Sequence, residues 1–200
     1  MNGSLEPLVN PAFVYRFTQG PDVVRSIDDA RAGGLNCVAL AHLAMQRLFD
    51  YHLPPELKCV ELYRDRDHFR AVEDIADAQE GDLAWFGLAN PQVGVEEFRP
   101  VYSDGQLANW REFPVTHVGV FADVSNGDPR ILHATPVEGT NTVWPLSEFA
   151  GYKRYERLYG ITRLMAADSS ENHADQNGAW YPVQDLNLQP SAPEADVLSS

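Results

Sequence analysis

Two apolar runs with alternating side chains, residues 117–124 (HVGVFADV) and 131–135 (ILHAT), flank the segment Ser-Asn-Gly-Asp-Pro at 125–129. A period of two marks strands, and Asn-Gly between them marks the tight turn of a hairpin. This pair restricts the fold more than any other stretch, because a hairpin with an apolar face has to be built into an antiparallel sheet that covers that face. The alternation also sorts the chemistry. His117, Gly119 and Phe121 share one face of the first strand, with Val118, Val120 and Ala122 on the other, while Ile131, His133 and Thr135 share a face of the second. Pairing across the turn brings His133 beside His117. A histidine and a glycine on one face suit a strand on which the start of a helix packs closely. Runs at 82–86 (DLAWF) and 158–163 (LYGITR) predict two more strands, and the alternation in LKCVEL predicts a structural strand residue at Cys59.

Ahead of the strands stands one clear helix. Asn36 is a good N-cap, and Cys37, Leu40, Ala41, Ala44, Met45 and Leu48 recur at the spacing of one helical face, apolar throughout except for the thiol. His42, Gln46, Arg47 and Asp50 fall elsewhere round the helix, and Leu53, Pro54 and Pro55 end it. The fold class is therefore α+β, with a helix packed on an antiparallel sheet. Residues 88–114, rich in Pro, Gly, Asn and acids, read as a long loop or lid of the kind that shapes a site more often than a core.

A thiol attacks as the thiolate, which free N–H groups and the dipole at a helix start stabilise. Cys37 has that position. Taken alone it reads more readily as a small buried hydrophobe on the apolar stripe, since buried inert thiols are common. A base tips the balance, and His42 cannot supply it, since five residues along the helix turn it about 140° away from Cys37. His117 and His133, on neighbouring strands, complete the nucleophile, base and orienter arrangement of cysteine enzymes. Asp82 reads as a turn or strand-start residue rather than a catalyst. His52 and His68 lack companions at metal-ligand spacing, and no HExxH, P-loop or dinucleotide glycine motif occurs. Neither a metal nor a cofactor is expected.

The chain of 200 residues carries 29 acidic against 15 basic side chains, a net charge of −14, which disfavours nucleic acid and anionic membrane surfaces as partners. Two cysteines exclude a disulfide scaffold. One domain is expected at 1–165. Residues 166–200, with six acids and no Lys or Arg, read as an acidic tail whose Trp180 to Pro182 motif and Val183, Leu186 and Leu188 offer a docking point on the domain itself or on a protein partner. No basic-plus-apolar leader and no run long enough to span a bilayer is visible, which leaves the cytoplasm or secretion without a visible signal peptide.

Four stretches together resemble the NlpC-type superfamily of papain-like cysteine peptidases and amidases, best known for cutting peptidoglycan stem peptides. GGLNCVALAHLAMQRLF resembles its glycine-preceded cysteine helix, GDLAWFG its Gly-Asp-Leu strand, THVGVFAD with ILHATP its two histidine strands, and YERLYGITRL its closing strand. The likeness implies a papain-like core at 1–165, with Cys37 as nucleophile, His117 as general base and His133 as the orienting third residue. It further implies Tyr15 near the oxyanion site, with an aromatic of the core or rim as its other reading, and Asn36 as the neighbour of the nucleophile that meets the substrate. The substrate implied is a peptide or amide, cell-wall fragments included. The peptidoglycan enzymes usually read Asp-Cys-Ser-Gly where this chain reads Asn36, Cys37, Val38, Ala39, so a neutral amide and an apolar group replace the residues that receive a charged stem peptide. Acyl transfer, or an effector-type attack on a lipid, small molecule or protein, stays open beside hydrolysis, as does a catalytically silent binding domain.

Overall fold

The structure, a computed structural model, describes residues 3–9, 12–17, 24–53 and 58–165. The tail expected at 166–200 lies outside the described residues, as do Pro54 and Pro55. The helices are α1 (Glu6–Val9), α2 (Ile27–Gly33), α3 (Cys37–Phe49) and α4 (Cys59–Arg64). The strands are β1 (Phe69–Val72), β2 (Leu83–Gly87), β3 (Tyr102–Ser103), β4 (Gln106–Leu107), β5 (Val115–Asp123), β6 (Arg130–Thr135), β7 (Thr140–Pro145) and β8 (Arg157–Leu164). Six of them form one antiparallel sheet in the order β1-β8-β2-β5-β6-β7, and β3 and β4 form a separate hairpin. The α+β class is as the pattern predicts. No helix among the described residues is long and apolar enough to cross a membrane.

Alternation divides the sheet into two faces. Leu83, Trp85, Val118, Val120, Leu132 and Ala134 join the larger core, against Leu40, Ala41, Ala44 and Met45 of α3. Ala84, Phe86, Phe121, Ile131 and Ile161 turn the other way, into a second core closed by Trp144, Phe149 and Tyr155. β2 is buried along its whole length because both faces are covered, which is why its sequence runs apolar without a break. The helix layer therefore takes the Val118 and Val120 face, and the His117, Gly119 and Phe121 face belongs to the aromatic core. That reverses the face expected for helix packing. Gly119 serves the neighbouring strand instead: a Cβ there would collide with Ile131 Cγ2 and lie 3.4 Å from His133 Cβ. Its lack of a side chain lets β6 approach β5 where the two histidines meet.

α3 is the helix the periodicity predicts, preceded by two short helices. It ends at Asp50 in the left-handed conformation, with its N–H bonded back to Gln46 and Met45 carbonyls. Its buried arc is wider than the predicted stripe, taking in Leu43 and His42. Cys59 opens α4 rather than sitting in a strand. The segment 88–114 is no bare lid either, since it sends Phe98, Leu107 and Phe113 into the larger core. Arg64 fastens it, lying 5.4 Å over the Phe98 and Phe113 rings and donating to the Val95 and Phe98 carbonyls at 2.9 and 3.1 Å. Its tip is an Asp104-Gly105 turn with both residues at positive φ, the backbone of a tight hairpin.

Candidate active site

The site is built where the β5–β6 ladder stops. Backbone pairing between these strands covers Val120↔Leu132, Phe121↔Ile131 and Asp123↔Arg130, and does not extend to Val118. The start of α3, which packs on both strands, fills that place. The Val118 N–H, without a strand partner on that side, turns to the Cys37 sulfur. Asn36 caps the helix through its side-chain oxygen, 2.9 Å from the Ala39 N–H, and this holds Cys37 as the first helical residue.

His117 and His133 lie as the hairpin predicts, with His117 Nε2 2.9 Å from His133 Nδ1. The other nitrogen of His117 remains for the thiol, to which the ring is hydrogen bonded. Both rings are enclosed by aromatics. Tyr155 stacks on His117 at 4.2 Å between centroids, and Trp144 and Phe149 lie 4.3 and 4.7 Å from His133. His133 is wholly buried, and its Nε2 has no hydrogen-bond partner. When His117 is cationic, its Nε2–H donates to His133 Nδ1, so the single proton of a neutral His133 sits on that unpartnered Nε2.

Burial, aided by the charge of His117, pulls the His133 pKa from 6.5 down to about 2. The sign of the pH effect follows. The unfolded chain binds a proton here below about pH 6.5 and the folded chain does not, so stability contributed by the neutral ring is complete above that pH and is lost as pH falls towards 2. Urea unfolding between about pH 6 and 4 should show a slope near 1.4 kcal/mol per pH unit from this group, and His133→Gln should remove that part of the slope. His42, whose pKa is also lowered by burial, leaves a residual slope in both proteins.

The Cys37 thiol is held well below the usual thiol range. The hydrogen bond from Cys59 is the largest cause, followed by the charge and hydrogen bond of His117 and by the Val118 N–H, all against the opposing effect of burial. The two sulfurs are 3.9 Å apart. The Cys59 pKa is pushed well up by the same bond and by burial, so Cys59 stays a thiol and donates.

Tyr15 reaches the site by a separate route. The chain at Val14 to Arg16 runs beside Leu35, with Leu35 N–H to Val14 O at 3.0 Å and Arg16 N–H to Leu35 O at 2.9 Å. Gly34, at φ 78°, permits this approach, since a Cβ there would lie 2.6 Å from the Val14 carbonyl oxygen. On the other side the Tyr15 N–H donates to Gly139 O at 2.7 Å, and buried Asn141 accepts from Phe13 N–H and donates to Leu8 O, each at 2.5 Å. Burial first, then the negative charge on Cys37, raises the Tyr15 pKa and keeps its hydroxyl protonated. α2 occupies the stretch between Tyr15 and the nucleophile.

The structure thus brings Cys37, His117, His133 and Tyr15 together and gives Asn36 a capping role. It keeps two polar residues apart from them. His42 lies beside His52, 6.4 Å between rings, and Asp82 pairs with Arg163. The sequence reading missed Cys59, Tyr155 and the Val118 N–H. Tyr155 had a faint signal in the aromatic-rich GYKRYERLYG; the other two become visible only in three dimensions. Among the described residues no group of three His, Cys, Asp or Glu side chains is placed to hold a metal ion. No protein-family model, curated protein or solved structure matches the chain.

Proposed function

We propose that this chain is a cysteine hydrolase on a papain-like core of the NlpC type. Within that class it acts as an amidase or endopeptidase through an acyl-enzyme. The observation that carries the reading is the line Cys37, His117, His133: a thiol with a strongly lowered pKa at a helix start, an imidazole bonded to it, and a neutral buried imidazole bonded to the first.

In this reading the Cys37 thiolate attacks a carbonyl carbon. The developing oxyanion is received by the Cys37 backbone N–H at the helix start and by the hydroxyl of Tyr15, which stays protonated. His117 gives its proton to the leaving amine, then takes one from the water that releases the acyl group. His133 keeps the His117 ring in orientation by accepting its Nε2–H, which only a neutral group can do. Val38 and the amide of Asn36 beside the nucleophile favour a neutral or apolar acyl group over a charged stem peptide.

The test is a panel of synthetic stem peptides and N-acyl amides with acid quenching. Amine release together with an acyl mass on Cys37 is the expected result. A panel that yields neither turnover nor an adduct, while the protein remains folded, would overturn the proposal. Tyr15→Phe should lower kcat by about 10²-fold with little change in KM, as loss of one oxyanion donor does. An unchanged kcat would remove Tyr15 from the site.

A further inference from the structure

Cysteines are scarce in this chain, two in 200 residues, and they stand 22 positions apart. The fold nevertheless places their sulfurs 3.9 Å from each other, at the first residues of α3 and α4. Each residue is only partly buried as a whole, while the two sulfurs are enclosed where they meet. The hydrolysis reading uses only one sulfur. A hydrogen bond to the thiolate does not need a second sulfur, since a serine hydroxyl in that position would donate as well or better.

We propose that Cys37 and Cys59 are a reversible oxidation site, in which a hydroperoxide converts the pair to an intramolecular disulfide and a dithiol reductant restores it. The chemistry of the pair requires only a nucleophilic thiolate at Cys37. A disulfide would also remove the attacking thiolate and so stop turnover, a consequence that rests on the hydrolase reading.

The steps balance without any group beyond the peroxide. The Cys37 thiolate attacks the terminal oxygen of the hydroperoxide; an S–O bond forms, the O–O bond breaks, and the alkoxide, or hydroxide from hydrogen peroxide, takes up a proton and leaves. Cys37 is now a sulfenic acid. The Cys59 sulfur then attacks the Cys37 sulfur; the S–S bond forms, the S–O bond breaks, and hydroxide leaves as water with the proton of Cys59. Two thiols and one hydroperoxide have become a disulfide, an alcohol or water, and a further water. A dithiol returns the two electrons and two protons by exchange and itself becomes a cyclic disulfide. Closing the pair requires the sulfurs to approach by about 2 Å to the bonded length, a movement within reach of side-chain rotation at the two helix starts.

Cys59 then has a protective use. A sulfenic acid without a nearby thiol is oxidised further to the sulfinic acid, which dithiols do not reduce. With Cys59 adjacent, the first oxidation product is diverted to a recoverable state.

The experiment treats the whole chain with hydrogen peroxide, alkylates it under denaturing conditions and reads intact and peptide masses. The wild-type protein should become about 2 Da lighter, carry no alkyl group at either cysteine, stay monomeric on a non-reducing gel and recover both thiols in dithiothreitol. Cys59→Ser, which keeps a donor and loses the sulfur, should gain about 32 Da at Cys37 and recover at least tenfold less free thiol at Cys37 on reduction. A wild-type protein that gains oxygen at Cys37 while Cys59 remains alkylatable would overturn the proposal. So would one that forms only disulfide-linked dimers, or one in which neither sulfur reacts. Because these readouts are masses, a disulfide that forms in a protein without amide turnover would discard the hydrolase reading and leave the oxidation site standing.

Discussion

On the proposed hydrolase mechanism, Cys37→Ala should reduce turnover by at least about 10⁴-fold while the protein stays folded, since the rest of the site cannot replace a covalent nucleophile. Only one heavy atom is lost, and the residue as a whole is partly exposed at a helix start, so folding is retained. The companion change, His117→Gln, separates acid-base work from nucleophile identity. It should slow turnover to a similar degree and also slow alkylation of Cys37 below neutral pH by about tenfold, because the thiolate loses its cationic partner. In the unaltered protein, alkylation of Cys37 should persist as pH falls below the ordinary thiol range, whereas Cys59 should react only in alkali. That order follows from the opposite displacements of the two thiols. Equal reaction of the two at neutral pH would contradict it, and turnover undiminished in Cys37→Ala would remove the mechanism.

The largest effect on stability is expected at Asp82. Its carboxylate is 3% exposed and meets Arg163 twice, Nε to Oδ1 and Nη2 to Oδ2, both at 2.8 Å, while Oδ2 also accepts the Gln79 N–H at 2.8 Å. This joins the start of β2 to the end of β8, the adjoining strand. Asp82→Ala leaves the Arg163 guanidinium, 19% exposed, with the Asp77 carbonyl at 2.7 Å as a remaining partner, and the loss of the two charged hydrogen bonds should cost about 3 kcal/mol in urea unfolding. Replacing both members by Leu and Met should cost clearly less than the single change, since no unpaired charge remains. A double variant as unstable as Asp82→Ala would mean that packing, and not the orphaned charge, sets the loss.

Asp82 also illustrates what a sequence can and cannot disclose. Its place at a strand start is legible in Gly-Asp-Leu, but its partner lies 81 residues away, and nothing local announces Arg163. α3 was legible because a capping residue and a long apolar period agree. The β5–β6 hairpin was legible because alternation continues on both sides of an Asn-Gly turn. β1 and β7 carry too little signal: four residues of FRAV and the largely polar TNTVWP are held by their neighbours β8 and β6 rather than by their own pattern. Cys59 was misread because six residues of LKCVEL fit a period of two about as well as a short helix, and tertiary packing decides. Alternation told which residues share a face with His117. It did not tell which face the helices would cover, because both faces of β5 are apolar and the choice lies with α3 and with Trp144, Phe149 and Tyr155.

The clamp at Asn141 bears on synthesis of the protein at the ribosome. Its bonds to Phe13 and Leu8 span 128 and 133 positions, so the segment carrying Tyr15, which pairs locally with Leu35, gains its second set of bonds only after β7 has emerged. Cys37 leaves the exit tunnel long before His117, His133 and Asn141 do. A nascent chain therefore exposes Cys37 without His117, His133 or a seated Tyr15, and this cluster is assembled late, when most of the body that encloses it already exists.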